Sequence, residues 1–457
     1  MEISLLLVCF FVTITIGWSV LNLVLREKGG AVLLEGLSLS FGIGMGAVAI
    51  EMLIFYFLRL PLSLINLVLP WIPVALCSFI FSKRTITLNS GARAKLTLFE
   101  KLLLAGIVFQ VALVFFRAFL KPLESFDSIA MYAMRSKIIF LGGMIPRDFF
   151  TDITLRIPNP DYPLLLPLVE VWIYTFLGSI NDLLVKAVFP AYLLSFLVIF
   201  FSLLKRVISR TGAFLFTFIL ATIPQFVNFA TVGYTDIILA YYYSIGMIYL
   251  FLWMKGRKTG DLVIAGLFSG FAAFTKNEGI MLFFVNIILL LLYFVKNLDR
   301  EMLKKAAVYV LVVALIAAPW AFIRFSNGLE NDLLKFKEMG AERFVDIFKR
   351  LDRIPVILYE YQKQFFGPKK WNIVWILFLG LFVLNIKRAF NGDLKYFSLS
   401  IFLILFFYGS VYMLIPVDGP INWYIASGVS RLFIHFVPIA VFWLALLCGQ
   451  KYCKDDI

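Results

Sequence analysis

The chain has 457 residues, of which 62% are hydrophobic and 15% charged, with 50 Phe and 9 Trp. Soluble domains average about 25% charged residues, so this composition cannot coat the two or three soluble domains such a length would otherwise form. A soluble enzyme, a disordered chain and a nucleic-acid-binding domain are disfavoured together, and the net charge of +14 reads as basic loops facing anionic lipid.

Spanning the hydrocarbon takes about 20 apolar residues. Suitable runs lie near 3–24, 36–58, 61–82, 100–120, 183–204, 212–231, 236–254, 262–277, 279–295, 305–323, 371–386, 396–415 and 430–449. The run at 164–180 is shorter and carries Pro167 and Glu170. The N-terminus has Glu2 in place of a basic region and lacks a small-residue cleavage site, so a removed signal peptide is not expected. The fold expected is all-α and polytopic.

Loop charges set the orientation. The 83–101 connection holds five bases (Lys83, Arg84, Arg93, Lys95, Lys101) and one acid, and is expected to be cytoplasmic. The 121–163 segment then falls outside, where Lys121, Arg135, Lys137, Arg147 and Arg156 are matched by Glu124, Asp127, Asp148, Asp152 and Asp161. If 164–180 crossed fully, the basic loops at 205–210, 255–258, 296–305 and 387–388 would all face outside. If it is interfacial or re-entrant, which is tolerated where backbone is buried in protein, all four become cytoplasmic. The expectation is therefore about thirteen spans in a cell membrane, N-terminus outside and C-terminus inside. Residues 121–182 and 324–370 become external segments; the second holds ten Lys/Arg and seven Asp/Glu, with amphipathic stretches between 331 and 351. Residues 1–82 form an N-terminal three-helix region, 83–440 the main transmembrane region, and 441–457 the end of the last helix and a short tail.

Ionisable groups near membrane depth are the informative ones. Glu124 and Asp127 are three apart, which on a helix puts both on one face; they read either as a general base and its neighbour or as helix-terminal caps paired with Arg135 and Lys137. RIPNPDYPLLLPL (156–168) holds Asp161 and Tyr162 among prolines, as a rigid approach to the membrane or an ordinary turn. TVGYTDIILAYY (231–242) brings Tyr234 and Asp236 to the start of an apolar helix. TKNEG (275–279) sets Lys276, Asn277 and Glu278 between two apolar runs, as a site or as a self-neutralising turn. Arg431 and His435 lie four apart near the outer end of the last span, as site residues, a core ion pair or a snorkelling base. In the thirteen-span topology these groups gather on the outer side, and the cytoplasmic loops carry ordinary topogenic bases. The lone histidine (His435) and four cysteines (Cys9, Cys77, Cys448, Cys453) make no zinc-like cluster or disulfide framework, so neither metal nor cofactor is expected.

At these residues the chain resembles the GT-C class of membrane glycosyltransferases, in particular bacterial relatives of dolichyl-phosphate-mannose protein mannosyltransferases, a group that includes lipid A modifying enzymes. The marks are Asp127 after a span, Pro158 to Leu168, Gly233–Tyr234–Asp236, TKNEG, and Ser427 to Pro438, over roughly residues 100–440. The family often has an adjacent acidic pair where this chain has Glu124 and Asp127, and three spans precede its first. The resemblance implies a GT-C-like fold, a polyprenyl- or dolichyl-phosphate-linked sugar donor, a lipid, glycan or protein acceptor, and extracytoplasmic chemistry. Asp127 would be the base, with Glu124 beside it. The leaving group is a lipid phosphate that needs cationic stabilisation; Lys276 and Arg431 are the candidates, with Arg135 or Lys137 in reserve. Asp161, Tyr162, Tyr234, Asp236, Asn277, Glu278 and His435 complete the expected substrate-binding set. A transporter or lipid flippase and a polymerase or ligase for lipid-linked glycans are the alternatives.

Overall fold

Backbone amides at membrane depth have no water to bond, so the chain must satisfy them within helices. The computed structural model describes residues 1–25, 33–81, 95–155, 157–297, 300–329, 350–415 and 421–449, and they form helices joined by turns, without strands. In order these are α1 (Glu2–Val24), α2 (Leu33–Leu58), α3 (Leu64–Val68), α4 (Trp71–Phe81), α5 (Leu98–Ala118), a π-helical turn (Ser128–Ala133), α6 (Met134–Gly142), α7 (Leu165–Leu177), α8 (Val188–Leu204), α9 (Arg210–Ala221), α10 (Pro224–Phe229), α11 (Asp236–Gly256), α12 (Thr259–Thr275), α13 (Asn277–Asn297) and α14 (Arg300–Ser326). There follow α15 (Arg353–Phe365), α16 (Pro368–Trp371), α17 (Val374–Leu384), α18 (Ile386–Ala389), α19 (Leu394–Leu414), α20 (Ile421–Ile434) and α21 (Val437–Gly449). The loop bases at 83–94, Arg156, residues 330–349 of the second expected external segment, and Cys453 lie outside the described residues.

Nine helical segments among the described residues are long and apolar enough to cross a membrane, and α20 with α21 forms a tenth, bent by 47°. The other three expected spans correspond to shorter apolar helices, α9, α12 and α17. The run at 212–231 is divided because Pro224 begins a new helix at its first turn.

Two polar belts mark the ends of the bundle. At one end Leu123 donates to the Asp182 carbonyl (3.2 Å), Lys186 Nζ donates to the Lys121 carbonyl (2.8 Å), and Asn181 reaches Glu2 (3.0 Å). The segment between α5 and α8 therefore leaves and returns at the same end, where α1 also begins. Within it α7 has 13 residues, about 20 Å at 1.5 Å per residue, against a hydrocarbon core of about 30 Å. At the opposite end Arg206 joins Glu35 and Asp261, Arg210 joins Glu100, Lys255 joins Asp393, and Gly449 packs against Ile208. Arg206 and Arg210 are thus built into ion pairs as well as marking a loop.

Helix α11 is the axis: its most apolar window is wholly buried, as expected of a helix hydrophobic all round. Its three consecutive tyrosines are buried with their hydroxyls bonded, Tyr241 to Ser195 (3.1 Å), Tyr242 to the Gly42 carbonyl (2.8 Å) and Tyr243 to Ser400 (3.0 Å). Apolar burial gives little driving force against lipid, so packing and such interhelical bonds hold the bundle.

Candidate active site

Asp236 opens α11, and its carboxylate is completely enclosed. An enclosed carboxylate is costly unless paired and fully bonded, and four donors meet it. Arg431 places Nε (3.2 Å) and Nη2 (3.0 Å) on Oδ2, while Lys276 Nζ (3.1 Å) and His435 Nε2 (3.0 Å) reach Oδ1. His435 Nδ1 lies 2.7 Å from the Tyr408 hydroxyl. With Nε2–H donating to Asp236, Nδ1 is left to accept from the Tyr408 hydroxyl.

The third arm of Arg431, Nη1, reaches Asp127 Oδ2 at 2.5 Å. Its guanidinium lies 4.6 Å from the centre of the Tyr234 ring, within cation–π range. Asp127 leads into the π-helical turn, a wide-turn irregularity that is frequent at functional sites. Its side chain is 29% exposed, which distinguishes it from the enclosed Asp236. Gly233 has φ +87°, and a Cβ there would fall 2.6 Å from Leu123 Cδ2 and 2.9 Å from Ser128 Cβ. Only glycine lets this turn fold against the chain on either side of Asp127.

Lys276 sits in extended backbone between α12 and α13, a break in an otherwise apolar helical path. The break is tight, since a Cβ on Gly279 would lie 1.9 Å from the Ala272 carbonyl oxygen. Lys276 bridges Asp236 and, at 2.9 Å, Glu278, so it is more than one half of a self-neutralising turn. Asn277 Nδ2 donates to Asp161 Oδ2 (2.7 Å), and its side-chain Oδ1 accepts from Arg324 Nη1 (3.4 Å). Arg324, in the last turn of α14, was not among the sequence-derived candidates; its signal is a base at the end of a span on this same side.

The structure thus brings together Asp127, Tyr234, Asp236, Lys276, Glu278, Arg431 and His435, with Asp161 and Asn277 alongside. Arg135 plays another part nearby. Its buried guanidinium donates to the carbonyls of Tyr162 (3.0 Å), Pro158 (2.5 Å) and Asn159 (2.6 Å), fixing the turn that carries Asp161. Burial draws its pKa down to about 10, which leaves it charged at neutral pH, and burial pushes the Tyr162 hydroxyl well up. Two expected residues are elsewhere. Glu124 pairs with Lys121 at 3.2 Å with its side chain 58% exposed. It precedes the helix that starts at Phe126, so it shares no helix face with Asp127. Pro122, which lacks an N–H, interrupts the chain between α5 and that helix. Lys137 pairs with Asp182 at 2.6 Å, beside Tyr174. Arg431 and His435 both reach Asp236 as their four-residue spacing implies, although α20 stops at Ile434 and His435 occupies the bend before α21.

At one end of this polytopic helical bundle, an enclosed carboxylate thus anchors two cations, and a partly exposed carboxylate sits on the outer arm of one of them. Residues 166–323 match the family model for dolichyl-phosphate-mannose-protein mannosyltransferase. The matched segment runs from α7 into α14 and takes in Tyr234, Asp236 and residues 275–279; Asp127 and Arg431 lie beyond it. The match takes in about a third of the chain and supports a membrane glycosyltransferase that draws on lipid-linked sugar donors. No curated protein and no solved structure matches it.

Proposed function

We propose that the chain transfers a sugar from a polyprenyl- or dolichyl-phosphate donor to an acceptor hydroxyl on the extracytoplasmic face, with inversion and with Asp127 as general base. The observation that carries this is the position of Asp127: an accessible carboxylate on the outer arm of an arginine whose other two donors are held by a buried carboxylate. The acceptor oxygen attacks the anomeric carbon as the bond from that carbon to the phosphate oxygen breaks. The electron pair leaves on the phosphate and the hydroxyl proton passes to Asp127. The leaving phosphate is already acidic, so it calls for cations more than for a proton donor. Arg431 supplies a planar fork and Lys276 a point charge, with Arg324 beside them.

Nη1 of Arg431 is occupied by Asp127. A phosphate arriving on that arm replaces the carboxylate and leaves it free to take a proton, so base activation follows donor binding. The acceptor and the sugar stay within the general classes given. Purified protein offered a panel of prenyl-phosphate sugars and acceptors, with products read by mass, tests the proposal: a glycoconjugate carrying the donor's sugar with inverted anomeric configuration supports it, and retention of configuration removes the single-displacement mechanism.

A further inference from the structure

A large cavity lies at the other end of the molecule. It measures about 1100 Å³ and opens between α2, α5, α8, α9, α11 and α12, slightly above the roughly 300–1,000 Å³ typical of small-molecule sites. Its wall on α8 runs from Leu194 to Lys205 and on α5 from Leu104 to Ala112. At 1.5 Å per residue the α8 wall is about 16 Å long, which is one leaflet of a hydrocarbon core about 30 Å thick.

The deep walls are apolar, and the mouth carries Lys205, Arg206, Lys255 and Lys258 against Glu35 and Asp261. Arg206 takes both of those acids, and Lys255 takes Asp393. That leaves Lys205 and Lys258 without a salt bridge among the described residues, at the open rim of an apolar slot one leaflet deep. A basic rim over an apolar slot between membrane helices is the complement of an anionic lipid headgroup on its acyl chain. We propose that this cavity binds one anionic glycerophospholipid, with its phosphate against Lys205 and Lys258 and an acyl chain along α5 and α8. The site is separate from the Asp127–Arg431 cluster and does not depend on the reaction proposed there.

The test is native mass spectrometry of the full chain in detergent after exchange into phosphatidylglycerol or phosphatidylcholine. Wild type should retain one phosphatidylglycerol at least tenfold more readily than phosphatidylcholine. The Lys205→Gln/Lys258→Gln variant should lose that preference, and Val198→Trp, which fills the slot, should lose bound lipid of both kinds. Equal retention of the two lipids by wild type, a preference undiminished in the lysine variant, or a stronger preference for a prenyl phosphate would overturn the assignment. If Val198→Trp does not fold, the lysine comparison decides.

Discussion

Arg431 reaches Asp127 at 2.5 Å across 304 positions of chain, and the same guanidinium is fixed from behind by Asp236. One arginine therefore couples a partly exposed carboxylate to an enclosed one. The turn after α5, the start of α11 and the last span become one electrostatic unit.

That coupling depends on the shape of the guanidinium as well as its charge. Lysine at 431 keeps the charge but has no fork to engage Asp127 and Asp236 together. Arg431→Lys is expected to lower kcat/KM by about a hundredfold, given roughly 1.5–3 kcal/mol for a hydrogen bond to a charged group. A Tm close to that of wild type should accompany the loss. Steady-state transfer kinetics and thermal unfolding in the same detergent check both halves.

Asp236 should behave differently from Asp127. Asp236→Asn removes the negative charge facing Arg431 and Lys276 inside the protein, and breaking a buried pair in this way costs about 3–5 kcal/mol. A fall in Tm of several degrees and greater protease sensitivity are expected. Asp127→Asn, at a partly exposed position, should leave Tm nearly unchanged.

Gly279 is required by space. Its hypothetical Cβ meets backbone 1.9 Å away, at the Ala272 carbonyl oxygen, and backbone cannot swing aside as a side chain can. Gly279→Ala should push α13 away from α12, displace Lys276 from Asp236, and cost at least tenfold in turnover. Cross-linking of paired cysteines on α12 and α13 would register the displacement independently of activity.

The sidedness of the site can be measured directly. In a background with the native cysteines replaced, Asp148→Cys, in the turn before the proline-rich approach, should react with an impermeant thiol reagent added outside intact cells. Ser209→Cys should react only after permeabilisation. The reverse pattern would put the site on the cytoplasmic face.

Much of this grouping was legible because charged residues in an apolar chain are few and tend to pair with one another. Asp127, Asp236, Lys276 and Arg431 could be picked from the sequence as one-sided, and the short, proline-bearing run at 164–180 already pointed to a segment that returns without crossing. What spacing could not give was division of labour. Glu124 and Asp127 look equivalent three residues apart, but the helix begins between them and only Asp127 reaches Arg431. Arg135 and Lys137 look like spare phosphate ligands, yet one is spent on three backbone carbonyls and the other on Asp182, partners that depend on tertiary folding. Arg324, at the end of α14, looks like an ordinary long base snorkelling at a span's end. The ion pairs of Arg206 and Arg210 were hidden in the same way, as loop charges whose partners, Glu35, Asp261 and Glu100, come from other helices.

The most direct test of the account is the Asp127→Asn enzyme assayed with an accepted prenyl-phosphate sugar under saturating donor. General-base catalysis is worth about 10²–10⁴-fold, so transfer should fall by at least a hundredfold while donor binding and Tm stay near wild type. Turnover within a few-fold of wild type would contradict the assignment of Asp127 as the base.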